Sequence, residues 1–436
     1  MTMAADKQDK VLNFSSEREQ SGACSSSAER ENNQGKNFLN VPNTGKVPTL
    51  RFPEFTGNWE KTKLADITKR VLRKNKGVVS ERPLTISAQY GLIDQRDFFN
   101  KVVASENLEG YYLLKKGEFA YNKSYSNEYP WGAVKRLDSY DEGALSTLYI
   151  CFECIGVDGD WLVHYFDSPK WNGQVSAIAV EGARNHGLLN VGIEDFFGTQ
   201  HFVPNNKKEQ KKIATFLNLI DERISTQIRI IEELKMFRDT LMFKLLSPRK
   251  NWEHVCIHDI AMVVGGGTPD TNVKEYWDGN IQWFTPSEIG KEKYAIVSER
   301  TISQAGLDNS SAKLLPANTI LLSTRATIGE CSIAKKECCT NQGFQSLIAT
   351  KVTPEFLYYL IQTKKRDLLS KASGSTFSEI SANEVRKIHI CIPTTAKEQE
   401  ALVQPLSAYD EKIETECKIL YLYKLQKQFL LSKLFI

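Results

Sequence analysis

Hydrophobic positions along this chain change their period in the same order twice. From Gly110 to Ile155, apolar residues fall in short runs broken by turns, as in Glu118-Phe119-Ala120-Tyr121 and Thr147-Leu148-Tyr149-Ile150-Cys151-Phe152. Aromatic and β-branched runs of that length predict strands. From Asn206 to about Leu246 the spacing switches to three and four, at Ile213, Leu217, Ile220, Ile224, Ile228, Ile231, Leu234, Leu241 and Leu245. That spacing predicts one long helix with a coiled-coil stripe, ended by Pro248. At about 1.5 Å per residue, roughly 40 residues span on the order of 60 Å. The order then recurs. Thr319-Ile320-Leu321-Leu322-Ser323 reads as a buried strand, and Phe356 to Ile361 lies in an amphipathic helix ending before Gly374. A second long helix follows from about Lys397 to Phe435, with Leu402, Leu406, Tyr409, Ile413, Cys417, Leu420, Leu430 and Leu434 along one side. Shorter helices are expected from Leu64 to Leu72 and from Trp161 to Phe166, and Phe202-Val203-Pro204 closes the first module.

The recurrence extends to individual residues. Asn58-Trp59-Glu60, with Leu64, Asp66 and Ile67, returns as Asn251-Trp252-Glu253, with Ile257, Asp259 and Ile260. Lys208-Glu209-Gln210 and Asp221-Glu222-Arg223-Ile224 return as Lys397-Glu398-Gln399 and Asp410-Glu411-Lys412-Ile413. Lys235, Leu241, Lys244 and Leu245 match Lys424, Leu430, Lys433 and Leu434. Each module therefore opens on a Trp segment and closes on a long helix. The expected fold class is α+β, with two similar globular α/β domains separated by a long antiparallel two-helix coiled coil and related by a pseudo-twofold. The expected boundaries are a disordered tail over 1–46, module one over 47–205, a spacer helix over 206–248, module two over 249–394 and a second spacer helix over 395–436. The alternative is that each helix packs only on its own module. A pseudo-twofold suits a ligand with two similar halves, and duplex DNA is the commonest of these.

Composition adds limits. A chain of 436 residues with 41% hydrophobic residues can hold two ordinary cores. The net charge of +3 does not announce nucleic acid, but local charge is stronger. Glu60 to Arg82 holds eight Lys/Arg against three Asp/Glu, and Lys207 to Lys250 holds eleven against six. Such runs are either solvated helix faces or phosphate contacts, and the second would make binding salt-dependent. Nine cysteines scattered through the chain, no opening apolar region and no run near 18 apolar residues point to a reduced, cytoplasmic protein with no membrane partner.

Catalytic signatures are not found. Thr44-Gly45-Lys46 lacks the first glycine of a phosphate-binding loop, and Pro269 stops Gly265-Gly266-Gly267-Thr268 from opening a helix onto a phosphate. Pro269-Asp270 has no Asp/Glu-x-Lys partner downstream, and no Asn-Pro-Pro-Tyr-like loop of an amino-methyltransferase is present. Cys151 and Cys154 have zinc-knuckle spacing without a partner pair, and strand alternation would place them on opposite faces. His254 and His258 could chelate on a helix, but Val255 and Ile257 suggest strand-like alternation, so no ligand role is assigned. No metal site and no catalytic residue are expected.

Polar loops carry a different signal. Thr324, Arg325 and Thr327 follow the second module's buried strand. Asn341, Gln342 and Gln345 precede another strand, and Ser375 and Thr376 follow a helix. Arg pairs bidentately with guanine, Asn and Gln with adenine, and small hydroxyls suit phosphates. Ordinary turn chemistry would explain any one loop. Module one has counterparts in Asn122, Lys123, Ser124 and Tyr125, in Arg136, in Ser146 and in Arg184 and Asn185, with Gly132 matching Gly329 and Gly143-x-x-Ser146 matching Gly343-x-x-Ser346. The frame repeats while the loop residues differ, as in two readers of two short sequences.

From about residue 47 to the end, the chain resembles the specificity subunit of type I restriction–modification enzymes. The resemblance is carried by Leu50-Arg51-Phe52-Pro53-Glu54-Phe55 with Asn58-Trp59-Glu60, by both Lys-Glu-Gln helix starts, both Asp-Glu-basic-Ile segments and the Leu/Lys-rich helix ends. Ile320 to Arg325, Ile328-Gly329 and Asn341-Gln342-Gly343-Phe344 resemble that family's second-domain pattern. It implies two target-recognition domains that each read one half of a split sequence in double-stranded DNA. It implies helices that dock two modification (methyltransferase) subunits, with restriction (helicase–nuclease) subunits in the complex. S-adenosylmethionine, ATP and Mg would be held by those partner subunits and no cofactor by this chain, which would be non-catalytic. The competing reading is a coiled-coil scaffold that never touches DNA.

Overall fold

The computed structural model describes residues 47–87, 90–99, 107–126, 129–179, 189–372 and 379–436. The tail over 1–46 lies outside them. The chain divides into two compact units, one comprising residues up to Ile228 together with Lys418–Ile436 and the other Arg229–Cys417.

Unit one begins with β1 (Glu60–Lys63), helix α1 (Leu64–Ile67), β2 (Thr68–Arg70), β3 (Pro83–Ser87), β4 (Gly91–Asp94) and helix α2 (Gln95–Phe99). It continues through β5 (Tyr112–Lys115), β6 (Phe119–Asn122), β7 (Ala133–Arg136), β8 (Glu142–Leu145) and β9 (Ile150–Cys154). Helices α3 (Gly159–Asp167), α4 (Asn172–Ile178) and α5 (Ile193–Gly198), then β10 (Gln200–Val203), lead into the long helix α6 (Lys207–Leu245). Unit two holds β11 (Glu253–Cys256), α7 (Ile257–Ile260), β12 (Ala261–Gly265), β13 (Trp277–Phe284), β14 (Tyr294–Ala295), β15 (Arg300–Ile302) and α8 (Gln304–Asp308). Then come β16 (Ile320–Leu322), β17 (Cys331–Ala334), β18 (Cys338–Thr340), β19 (Gln345–Ala349), α9 (Pro354–Thr363), α10 (Lys365–Ser370), α11 (Ala382–Arg386), β20 (His389–Ile392) and α12 (Ala396–Lys433). The helix expected from Leu64 to Leu72 stops at Ile67, because Thr68–Arg70 leave it to pair antiparallel with Phe152–Cys154.

The two units share a strand plan. One sheet runs β2-β9-β6-β7 in unit one and β12-β19-β16-β17, with β14 added, in unit two. An antiparallel ribbon, β1 with β10 and β11 with β20, links each Trp segment to the strand before a long helix. A parallel pair recurs in the second sheet of each unit, β3 with β8 and β13 with β18.

Burial explains why the main sheets read as apolar runs. In β6, Phe119 and Tyr121 enter one core while Ala120 enters another. In β16, Ile320 and Leu322 face one core and Leu321 the other. A strand covered on both faces needs no polar alternation. One face of β6 and β9 packs on α3, through Trp161, Tyr165 and Phe166, and on the start of α6 at Ile213 and Leu217. Leu430, Leu434 and Phe435 at the end of the chain complete that core. In unit two the matching core joins Phe356, Leu357 and Ile361 of α9 to Met242 and Leu246 and to Leu402 and Leu406. The stripe along α6 departs from the expected one at two places. Ile228 is exposed, and Met242 and Leu246 are more deeply buried than Leu241 and Leu245. A straight helix drifts relative to a strict heptad, so the covered face moves along it.

The repeated motifs make repeated contacts. The Trp59 indole N–H donates to Glu209 at 3.2 Å, and that of Trp252 to Glu398 at 3.0 Å. Gln210 accepts from the backbone N–H of Asp158 at 2.7 Å and donates to the Pro204 carbonyl at 2.7 Å. Gln399 accepts from Thr353 at 3.0 Å and donates to Pro393 at 3.4 Å. Asp158 and Thr353 are the N-caps of α3 and α9. Each Lys-Glu-Gln segment thus ties a long helix to its module's first Trp, last strand and core helix.

Candidate nucleic-acid interface

In unit two, three polar segments meet beyond the ends of the sheet strands. The loop from Ser323 to Glu330 joins β16 to β17, and Asn341–Phe344 joins β18 to β19. The Thr324 N–H donates to the Gly343 carbonyl at 2.8 Å, and Gly267 N–H to Thr340 at 2.8 Å. The Thr268 hydroxyl donates to the Gln342 side-chain oxygen. Asn341 accepts from Gly343 N–H at 2.8 Å, leaving its amide group as the side chain's donor. Gly266 allows the close approach, since a Cβ there would lie 2.0 Å from the Asn341 carbonyl oxygen.

Arg325 is held at this edge rather than free. Its guanidinium pairs with Glu379 at 2.9 Å, and both side chains are about two-fifths exposed. Its buried Nε has no hydrogen-bond partner among the described residues. Ala326 beside it adopts φ 54°, which turns the loop sharply. Thr327 bonds the Ser323 hydroxyl at 3.1 Å and the Pro286 carbonyl at 3.3 Å. Gln342 is exposed, and Gln345 half-buried at the start of β19. Thr324 corrects the sequence reading: it is fully buried and its hydroxyl bonds the Gly343 carbonyl at 3.2 Å, so it shapes the loop and presents no surface to a base. Ser375 and Thr376 lie outside the described residues.

Unit one places Asn122–Ser126 at the matching site, between β6 and β7. The Asn122 side chain accepts from Ser124 N–H at 3.0 Å, and the Lys123 carbonyl accepts from Leu189 at 2.9 Å. Ser124 and Tyr125 are exposed. Gly132 closes the loop at φ +78°, where a Cβ would strike the Asn122 carbonyl oxygen at 2.1 Å. Two sequence readings fail here. Arg136 is clamped between Asp138 and Asp160, each at 2.7 Å, and bridges β7 to α3. Burial opposes its charge, but those two carboxylates prevail and raise its pKa. The match of Gly143-x-x-Ser146 to Gly343-x-x-Ser346 also fails. Gly143 lies inside β8 with a Cβ position 2.5 Å from Leu84, whereas Gly343 lies in a loop. Ser146 forms the turn after β8 instead, accepting from Leu148 N–H at 3.4 Å. Arg184 and Asn185 lie outside the described residues. Glu379 and Thr268, which hold Arg325 and Gln342, gave no sequence signal, being 54 and 74 positions away from the residues they touch.

Residues 249–421 match the family model of the type I restriction modification DNA specificity domain. Over that segment the chain is similar to type I restriction specificity subunits. Among specificity-subunit relatives, that of MjaIX from Methanocaldococcus jannaschii is 39% identical over 174 residues, covering 39% of this chain and 40% of the relative. The EcoR124I/EcoR124II specificity subunit from Escherichia coli is 26% identical over 224 residues, covering 48% and 54%. The alignments thus span about half the length, or less, of these specificity subunits. The fold is similar to that of the type I restriction–modification S subunit from M. genitalium, with a TM-score of 0.51, 16% identity and coverage of 89% of this chain and 99% of that one. A chain from a type I restriction–modification assembly gives a TM-score of 0.57 at 15% identity, covering 86% and 97%. Among the described residues, no helix is long and apolar enough to cross a membrane.

Proposed function

We propose that this chain is the non-catalytic, sequence-reading subunit of a type I restriction–modification complex. Each module reads one half of a split target in double-stranded DNA, in the cytoplasm. One observation carries the reading. The same loop of the same repeated sheet bears Asn122, Lys123, Ser124 and Tyr125 in one unit and Arg325 and Thr327 in the other. A conserved frame with different polar tips is what two different half-sites require, since base edges are told apart by donor and acceptor pattern. Two modification subunits and the restriction subunits are the partners. S-adenosylmethionine, ATP and Mg belong to those partners, and base flipping and methyl transfer occur there.

The test is selection from a random duplex library by the full chain bound to its modification subunits. The expected product is a motif of two short halves with an unspecified gap. Enrichment of no motif from a complex that assembles would favour the scaffold reading.

A further inference from the structure

The ribbon of β11 and β20 carries chemistry that its counterpart lacks. Its register sets His254 opposite Cys391 and Cys256 opposite His389. Ile390 and Ile392 point into the core, so His389 and Cys391 take the other face. His254 Nδ1 lies 3.2 Å from Cys391 Sγ, and Cys256 Sγ lies 3.5 Å from His389 Nδ1. The first turn of α7 adds His258 and Asp259. One ligand atom each from Cys256, His258 and Asp259 lies within 4.8 Å of the others. A surface groove is lined by His254, Cys256, Asp259, His389 and Cys391.

Of these residues only Asp259 belongs to the repeated frame, as the counterpart of Asp66; the Cys and His residues do not recur. The matching ribbon of unit one pairs Lys61 with Phe202 and Lys63 with Gln200. Half of the chain's six histidines and two of its nine cysteines meet on this one short ribbon and its adjoining turn. The second coordination layer is also built. His258 Nδ1 lies 3.0 Å from the Arg386 carbonyl, to which it can only donate, so Nε2 keeps its lone pair. That Nε2 faces Asp259 at 3.4 Å. A metal-bound histidine is commonly fixed in this way, by a backbone carbonyl on its other nitrogen.

We propose that Cys256, His258 and Asp259 bind a divalent transition ion of the zinc class, with His389 as the fourth ligand. A thiolate, two imidazoles and a carboxylate suit a tetrahedral borderline-soft ion at about 2.0–2.3 Å. Tetrahedral bonds of that length set ligand atoms roughly 3.3–3.8 Å apart, and Cys256 Sγ with His389 Nδ1 at 3.5 Å and His258 Nε2 with Asp259 Oδ1 at 3.4 Å meet that spacing. Cys256 binds as thiolate and releases its proton to solvent, with no change of oxidation state. The ion would cross-link the end of β11, the first turn of α7 and β20, closing module two where its chain enters and leaves. Cys391 and His254 form the neighbouring pair outside the set.

The test is titration of the metal-free full chain with Co²⁺, followed by visible and near-ultraviolet absorbance. One equivalent should give tetrahedral d–d bands and a thiolate-to-cobalt charge-transfer band, and Zn²⁺ should displace it. Cys256→Ser should abolish the charge-transfer band, and His258→Gln, at an exposed position, should weaken binding at least tenfold without loss of circular dichroism. Cys391→Ser should leave the band in place. No charge-transfer band, or a band that survives Cys256→Ser and vanishes with Cys391→Ser, overturns the assignment.

Discussion

Arg238 donates to Asp410 at 2.8 Å, joining α6 to α12 inside unit two. In unit one, Lys427 of α12 donates to Asp221 of α6 at 2.9 Å. The repeat that turns Asp221 into Asp410 also turns Arg238 into Lys427, so each helix supplies the acid in one unit and the base in the other. Both pairs are buttressed. Tyr359 donates its hydroxyl to Asp410, and Lys427 also reaches Asp167, which pairs with Lys135 at 2.8 Å. Burial pushes the Asp167 carboxyl up, but Lys135 and Lys427 outweigh it and hold it below the usual carboxylate range. Burial likewise opposes the charge of Lys427, and Asp167 and Asp221 hold its pKa above the ordinary lysine value.

Removing one partner of such a pair leaves the other largely buried and only partly compensated, Arg238 by Asp239 at 2.7 Å and Asp410 by Lys293 at 3.9 Å. Arg238→Ala should cost about 2–4 kcal/mol in unit two, and Asp410→Asn a similar amount. The double variant should lose less than the sum, with a coupling of about 1 kcal/mol or more in a urea-denaturation cycle. Strict additivity would mean that the pair is held in place without contributing.

The Lys-Glu-Gln anchors should differ in strength. Glu209 is 2% exposed and takes both Arg51, at 2.7 and 2.8 Å, and Trp59. Glu398 is 29% exposed, and Arg249 lies 3.8 Å away. Glu209→Ala should therefore cost about 3 kcal/mol and Glu398→Ala about 1 kcal/mol, read from urea midpoints. Equal losses would show that burial does not set the difference.

Acid should destabilise unit one through His201. Thr199 donates its hydroxyl to the Phe196 carbonyl, so its oxygen accepts from His201 Nε2–H at 2.7 Å, and Tyr165 O–H donates to Nδ1 at 2.7 Å. A second proton on the ring would face that hydroxyl hydrogen. Burial depresses the His201 pKa from 6.5 to about 4. The unfolded chain then binds the proton first. This contribution is complete above about pH 6.5 and lost as pH falls toward about 4, on the order of 3 kcal/mol in all. His164 is shifted the same way, chiefly by burial. His201→Gln should flatten the stability slope between pH 4 and 6.5 by up to about one proton. An unchanged slope would remove His201 from the account.

Arg325 should trade Glu379 for DNA. Arg325→Ala should relax discrimination at one base pair by roughly 1–3 kcal/mol in competition binding. Glu379→Ala should tighten binding, by less than about 1 kcal/mol because the ion pair is half exposed. A uniform loss over all sequences with Arg325→Ala would make it a phosphate contact instead.

Much of this fold was written in local pattern. The long helices, β16, α3 and α9 follow from spacing, capping and turn residues, and the Trp–Glu and Asp–base contacts join motifs that repetition had singled out. The site was less legible. Thr324 and Arg136 have the chemistry of DNA contacts, but the burial of Thr324 against Gly343 and the Asp160 half of the Arg136 clamp come from residues distant in sequence, and only Asp138 is local. The His/Cys ribbon escaped in part for the same reason. Cys256, His258 and Asp259 are neighbours in sequence, but His389 lies 133 residues from Cys256, and only strand pairing brings the two together.

The most direct measurement is single-molecule sequencing of methylated adenines in DNA from cells with and without this chain, each supplied with its modification subunit. The account predicts methylation at a split motif only when the chain is present, and a change in one half-site alone when the loops of one module are exchanged. Methylation independent of the chain, or none despite an active modification subunit, would contradict it.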